Sequence, residues 1–338
     1  MALLLYVRMT SRYDVPNKRM KWLNHFVKHI YIFGVSCCRH EEATVDEGVS
    51  PTLRQWQLAE ALRGYRTRRE LTIAQAGEKL KSLGKRWSAA KLQRIETRGY
   101  SPKPPEIEQL AEAYELKKAE RNELLDMAQD ARKKGWWQSS ALPKVFHTMA
   151  GLECAASTIR EFGLAAVPGL LQTSDYARAL MSVSDSPVAA EVLESRIAAR
   201  MTRQHILRGM TPPELQVILA EGVLRNPVGG VRVMRGQLER LIDELANANV
   251  AMQVLPADVG AHPGVDGSFM ILTIPSLEHD VGYCEGMMGS VYLETQEDVR
   301  SCNMRFAALS TLALSPDKSA KLMRNILAEY QLWKEAAR

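Results

Sequence analysis

Between Ser88 and Arg98 the chain reads Ser-Ala-Ala-Lys-Leu-Gln-Arg-Ile-Glu-Thr-Arg, with Lys91, Gln93, Arg94 and Arg98 spread along one helical stretch beside the small residues Ala89 and Ala90. Those residue types suit contact with a nucleic-acid duplex. Arg and Gln pair with the donor and acceptor pattern of base edges, and Lys neutralises phosphate. Small side chains let a helix sit deep in the major groove. Ser88 is a natural N-cap, and the inner face would be Leu92 and Ile95, three residues apart. Trp87, just before the cap, is placed to act as a staple. The competing reading is an ordinary helical hairpin with a solvated basic face.

Such a stretch needs a scaffold, and the flanking sequence supplies one. Thr72 and Gln75 form a capping box at the start of a helix whose apolar positions are Ile73, Ala76 and Leu80. Gly77 is expected where two helices cross closely. Upstream, Ser50-Pro51 opens a first helix with Leu53, Leu58 and Leu62 as inner-face candidates, and this helix runs into the basic stretch Arg63–Arg69. Downstream, Arg98–Pro102 is a turn, Pro104-Pro105 starts the next helix, and Ile107, Leu110, Ala111 and Tyr114 form its buried side. A fifth helix from about Ala119 would bury Leu124, Leu125 and Ala128.

The chain has 338 residues, enough for two domains, and carries a net charge of +5. That charge is uneven. Residues 51–135 hold 19 Lys+Arg against 12 Asp+Glu, a balance of +7, whereas residues 136–338 hold 18 against 22, a balance of −4. A basic block joined to a mildly acidic one fits a polyanion-binding module attached to a partner domain. No apolar run approaches a membrane span, so no membrane partner is expected. The five cysteines show no CxxC pair and no zinc spacing, which favours a reduced, cytoplasmic setting without metal or other cofactor.

Three segments follow: 1–49, an extension read as flexible or as a translation start set too early; 50–135, the helical domain; and 136–338, an α+β domain. Within the extension, Lys18–Phe33 is basic and partly amphipathic. At the junction, Trp136 and Trp137 are expected to dock the linker onto the second domain. Beyond it, helices are expected at Leu152–Phe162, Ser174–Met181, Pro187–Leu207, Val231–Leu245, Gln296–Leu312 and Pro316–Lys334. Strands are expected at Glu214–Leu219, Val250–Leu255, Ser268–Ile274, Val281–Cys284 and Val291–Leu293, giving a small mixed sheet covered by helices.

Taken in order, SPTLRQWQLAEALRGYR, KLQRIETR, the Gly-Trp-Trp junction, VPGLLQTSDYARAL, LRNPVGG, VAMQVLPADVGAHPG and EGMMGSVYLE resemble the actinobacterial Xre-type helix-turn-helix regulators described as antitoxin-like. The resemblance runs from about Ser50 to Leu314. It implies a mainly α chain with a smaller α/β part, in which a lambda-repressor-like five-helix domain precedes an α+β domain of uncharacterised role. It implies DNA binding, often autoregulatory, a homodimer, and a small acidic partner protein encoded nearby, with no enzyme activity. By the resemblance, Ser88, Ala89, Ala90 and Arg94 match groove-facing positions, and Lys91, Thr97 and Arg98 match positions near the DNA backbone. Two departures stand out: Ile73 replaces a phosphate-contacting Gln, and KSLGKR lengthens the turn before Ser88. That longer turn offers Lys81, Lys85 and Arg86 as added backbone contacts.

Further chemistry in the second half is sparse. His262, with Asp258 or Asp266 near in sequence, admits a catalytic or ligand-binding role, but a turn capped by His is the simpler account. Arg225–Gly230 precedes a helix, so its amides could bind an anion, but a strand-to-helix turn is the simpler account. Glu285 with Gly286 and Gly289 could line a cleft between strands, but a glycine turn between strands is simpler. No GxSxG, HExxH or phosphate-loop pattern occurs. The sequence therefore supports a sequence-specific regulator of double-stranded DNA. Its second domain would meet a small-molecule effector or a partner protein. Two alternatives remain, a helical module that binds only protein and an enzyme using His262.

Overall fold

The computed structural model describes residues 50–84, 86–133, 145–183, 189–277, 279–286 and 289–336. The amino-terminal extension, Lys85 and the Trp136-Trp137 junction lie outside the described residues.

Ser50 caps α1 (Pro51–Arg68): its hydroxyl accepts from the Leu53 amide at 3.5 Å, and Pro51 sits in the first turn, where a missing N–H is no loss. Four more helices complete a bundle, α2 (Ile73–Ser82), α3 (Ala89–Glu96), α4 (Pro104–Ala113) and α5 (Lys118–Asp130). Leu58, Leu62, Leu80, Leu92, Ile95, Ile107, Leu110, Tyr114 and Leu124 close its core. These are the positions that helical periodicity selects. Leu53 differs: it is buried with Trp56 in the core of the α+β part rather than in the bundle. α1 thus belongs to both cores, its first turns to one and its later turns to the other.

The α+β part runs α6 (Val145–Glu153), β1 (Thr158–Gly163), α7 (Ser174–Ser182), α8 (Ala190–Arg203), β2 (Glu214–Ala220), α9 (Glu221–Arg225), α10 (Val231–Glu244), β3 (Val250–Leu255), β4 (Phe269–Thr273), β5 (Val281–Gly286), β6 (Gly289–Leu293), α11 (Gln296–Leu312) and α12 (Pro316–Ala336). The six strands form one mixed sheet in the order β3-β2-β1-β4-β5-β6. β1, β2 and β3 are parallel, while β4, β5 and β6 join antiparallel from the other side of β1. Each face is covered. Met234, Leu238 and Leu241 of α10 and Met323, Ile326 and Tyr330 of α12 share a core with Val217, Leu219, Met252 and Val254. On the opposite face Phe306 and Leu309 of α11 pack with Phe162, Ile218 and Ile271.

The central strand is a correction to the sequence reading. Leu152–Phe162 was expected to be one helix, but α6 stops at Glu153 and β1 begins at Thr158. Leu152, Ile159 and Phe162 satisfy a helical period only if the intervening Cys-Ala-Ala-Ser stays helical, and it forms a turn instead. β-branched Thr158 and Ile159 then fit a strand held on both sides, with Ile159 opposite Leu215 and Leu272. Pairing across the sheet outweighs local helix preference. The period-two alternation of β1 sends Ile159 and Glu161 to one face and Arg160 and Phe162 to the other. Pro187–Leu207 also shortens: α8 spans Ala190–Arg203, and Gln204–Arg208 tightens into a 3-10 turn.

Candidate nucleic-acid interface

α2 and α3 form the helix pair that the sequence implies, and each is fixed by its own cap. At α2 the Thr72 hydroxyl accepts from the Gln75 amide at 3.2 Å, and the Gln75 side chain accepts from the Thr72 amide at 2.8 Å. At α3 the Ser88 hydroxyl accepts from the Lys91 amide at 3.2 Å. The helices meet where Gly77 faces the start of α3: a Cβ there would lie 3.3 Å from the Ala89 nitrogen. A methyl at 77 would crowd that backbone, which would have to give by a few tenths of an ångström. Leu92 and Ile95 are buried and seat α3 on the bundle, as does Trp87, whose ring nitrogen donates to Gln109 Oε1 at 2.6 Å.

The outward side of α3 carries Ser88, Ala89, Ala90, Gln93, Arg94 and Thr97, all exposed, with exposed Arg86 on the approach. Among the described residues Arg94 makes no ion pair and its side chain no hydrogen bond; its carbonyl accepts from the Tyr100 amide at 3.1 Å. Its guanidinium is therefore available to a partner. Thr97 is the C-cap, and its hydroxyl donates to the Gln93 carbonyl at 2.8 Å.

Two cations assigned to this surface by sequence have other partners. Lys91 Nζ donates to Glu106 Oε1 at 2.5 Å and lies 4.3 Å from the centre of the Trp87 ring. Desolvation pushes the Glu106 carboxyl up, but the Lys103 amide, Lys91 and Tyr100 outweigh it and hold the group below the usual carboxylate range. Arg98 leaves the helix with a positive φ of 64°, its carbonyl accepts from Gln55 Nε2 at 3.0 Å, and its guanidinium lies 3.8 Å above the Trp56 ring while pairing with Glu294. It faces the α+β part. We expect Lys91→Ala to lower the unfolding free energy by about 1 kcal/mol, since the half-buried Glu106 carboxylate loses its charged partner but keeps the Lys103 amide and Tyr100 hydroxyl. The same variant should leave the salt dependence of DNA binding nearly unchanged. Chemical denaturation and a salt titration check the pair of outcomes.

Sequence reasoning missed the element that orients α3. Arg66 lies in a basic run that reads as solvated, yet its Nε and Nη2 meet the two Glu96 oxygens at 2.7 Å each, and its Nη1 donates to the Leu71 carbonyl at 2.6 Å. Glu96 is 5 % exposed, and its hydrogen bond raises the Arg66 pKa. The signal was present in that Glu96 is the one carboxylate on α3.

His262 caps its own turn. Its Nδ1 accepts from the Gly264 amide at 3.2 Å, and its ring sits edge-on to Phe162. Asp266 pairs with Arg305 at 2.7 Å rather than with the imidazole. The expected strand-to-helix turn proves to be helix-to-helix: Arg225 is the last residue of α9, and residues 226–230 turn into α10 with Gly229 and Gly230 at φ of 70° and 86°. Among the described residues no helix is long and apolar enough to cross a membrane.

Comparison with known proteins matches this two-part architecture. Residues 57–124 match a family described as a helix-turn-helix domain, which covers most of α1 through α5. Residues 146–325 match a family described as a domain of unknown function (DUF5753) and span the sheet and its covering helices. No curated protein matches the chain, and no solved structure does. With more than half of its length in that second match, the chain belongs to the DUF5753 family and carries a helix-turn-helix domain ahead of it.

Proposed function

We propose that the protein is a cytoplasmic, sequence-specific transcriptional regulator of the Xre, antitoxin-like kind. In this reading α3 enters the major groove, and the α+β part governs dimerisation and the response to a small molecule or a small acidic partner protein. The observation that carries the reading is the exposed face of Ala89, Ala90, Gln93 and Arg94 on a helix locked by caps at Thr72 and Ser88. Arg94 pairs with a base edge, the alanines admit close approach and contact with thymine methyls, and Arg86 adds attraction for phosphate. A homodimer places two such helices about one helical turn apart on a pseudo-palindromic site.

Regulation by the α+β part is supported by an unbroken line of contacts. The Tyr283 ring of β5 lies 5.2 Å from Tyr292 of β6, Tyr292 lies 5.7 Å edge-on from Trp56 of α1, and Trp56 carries Arg98 at the end of α3.

The test is a gel shift with DNA from upstream of the protein's own gene against random DNA, over a range of salt. Discrimination that weakens with salt supports the reading, and equal binding to both DNAs or to neither rejects it. Arg94→Ala should relax sequence preference at a cost of about 1–3 kcal/mol. Undiminished discrimination by that variant would remove Arg94 from base recognition.

A further inference from the structure

A cavity of about 260 Å³ opens inside the α+β part, between α6, β1, α8 and β5. Five charged residues line it, Glu153, Glu161, Arg200, Arg203 and Glu285, beside an apolar wall that includes Met149 and Met270. Glu285 is exposed, but the other four are buried or half-buried, and burying a charge is costly unless it finds a partner. Arg200 Nη1 donates to Gln172 Oε1 at 2.7 Å, and Arg203 forms an ion pair with Glu153, Nε 3.1 Å from Oε2, although that N–H makes no hydrogen bond. The carboxylates are less well served. Glu153 is 0 % exposed, yet neither of its oxygens accepts a hydrogen bond, because Arg203 Nε stands off the line of one. Glu161 Oε2 is shielded from solvent and also accepts none.

We propose that this cavity is a binding site for a small organic cation, an amine or guanidine that donates hydrogen bonds to Glu153 and Glu161 and lays its aliphatic stem along the methionine wall. Glu285 stands exposed at the rim, so two carboxylates face two guanidiniums within. Three buried carboxylate oxygens, both of Glu153 and Oε2 of Glu161, lack a donor against a single open donor, Arg203 Nε, and a cationic donor is the group that suits them. The volume lies below the ~300–1,000 Å³ of drug-sized pockets, so the ligand is of metabolite size rather than a peptide. Burial and the neighbouring Glu153 push the Glu161 pKa up to about 8, so this carboxyl holds a proton where the ligand's charge would sit. Binding of the cation then releases that proton.

The proposal deepens the regulatory reading above and rests on it for its consequence, though not for the binding itself. The test uses the full chain without DNA, in calorimetric titrations with agmatine, putrescine and methylguanidine at millimolar concentration, and with succinate and phosphate as anionic probes. At least one cation should bind while the anions do not. Titration in two buffers of different ionisation enthalpy should show proton release near neutral pH. Glu161→Gln keeps the shape of the side chain and removes its charge, and should weaken the cation at least tenfold. Failure of all three cations to bind, equal binding of the anions, or unchanged affinity in Glu161→Gln overturns the proposal. Gel shifts on the same preparations separate the two readings. DNA binding without cation binding sinks the cavity proposal alone, and cation binding without DNA binding sinks the regulator alone.

Discussion

Arg66→Ala should lower the free energy of unfolding by about 3–5 kcal/mol, because it leaves the Glu96 carboxylate charged and buried without a partner. The wild-type pair is two-pronged, at 2.7 Å for each contact, with Glu96 only 5 % exposed. Loss of Arg66 also frees the Leu71 carbonyl that leads into α2. Arg66→Lys should recover little, since a single ammonium cannot make both prongs. Glu96→Gln should cost less than Arg66→Ala, because its amide and carbonyl stay neutral when buried. Urea unfolding of the four proteins gives this order directly. A cost for Arg66→Ala within the range of a surface ion pair, below about 1 kcal/mol, would show that Glu96 finds solvent in solution. The pair fixes the C-terminal end of α3 to α1, so DNA affinity should fall in Arg66→Ala even where the variant remains folded.

The second large effect is a pH dependence. Burial, then the charge of Glu153, raise the Glu161 pKa from about 4.5 to about 8, with Glu285 adding to the rise and Arg203 and Arg200 opposing it. A carboxyl with a raised folded-state pKa binds its proton more tightly in the native protein than in the unfolded chain. Its contribution to stability is fully present below its unfolded pKa and is lost as pH rises through the folded value. The wild type should therefore lose stability as pH rises toward about 8, through Glu161 together with Glu153, whose carboxyl burial also pushes up. Glu161→Gln, which stays neutral throughout, should flatten the profile in that window and be the more stable protein above it. Thermal unfolding across pH measures both curves. Parallel curves would mean that Glu161 is ionised in the folded protein at neutral pH.

These two sites show what could and could not be read from the chain. The bundle was legible because its signals are local. Ser50, Thr72 and Ser88 each cap a helix, and Leu92 with Ile95 marks the buried stripe of α3. The exposure of Ala89, Ala90, Gln93 and Arg94 follows from that stripe. Lys91 and Arg98 were assigned to DNA because a cation on an outward face looks free until its neighbours are placed, and Glu106 and Glu294 come from other elements. In the α+β part five of the six strands lie close to their expected positions. β1 does not, since a strand in the centre of a sheet is held by partners some 55 and 110 residues away in sequence (Ile159 opposite Leu215 and Leu272) and carries only a weak pattern of its own. Reading it as helix hid Glu161. In a strand the same residue alternates inward beside Ile159, and a carboxylate facing a core is a functional signal. For Glu285 a glycine turn is a simpler reading than a cleft; Gly286 pairs with Gly289 across the β5–β6 hairpin, and Glu285 stands exposed on the rim of the cavity.

Because α1 contributes Leu53 and Trp56 to one core and Leu58 and Leu62 to the other, the two halves cannot be parted cleanly. A DNA-reading fragment cut out for transplantation onto a foreign effector module would carry a bare tryptophan and leucine into water. The remainder would be left with an unfilled socket beneath its sheet. Gene fusions in which such a bundle changes hands would have to bring along a matching receptor surface, so recombination should favour exchange of whole chains over exchange of reading heads.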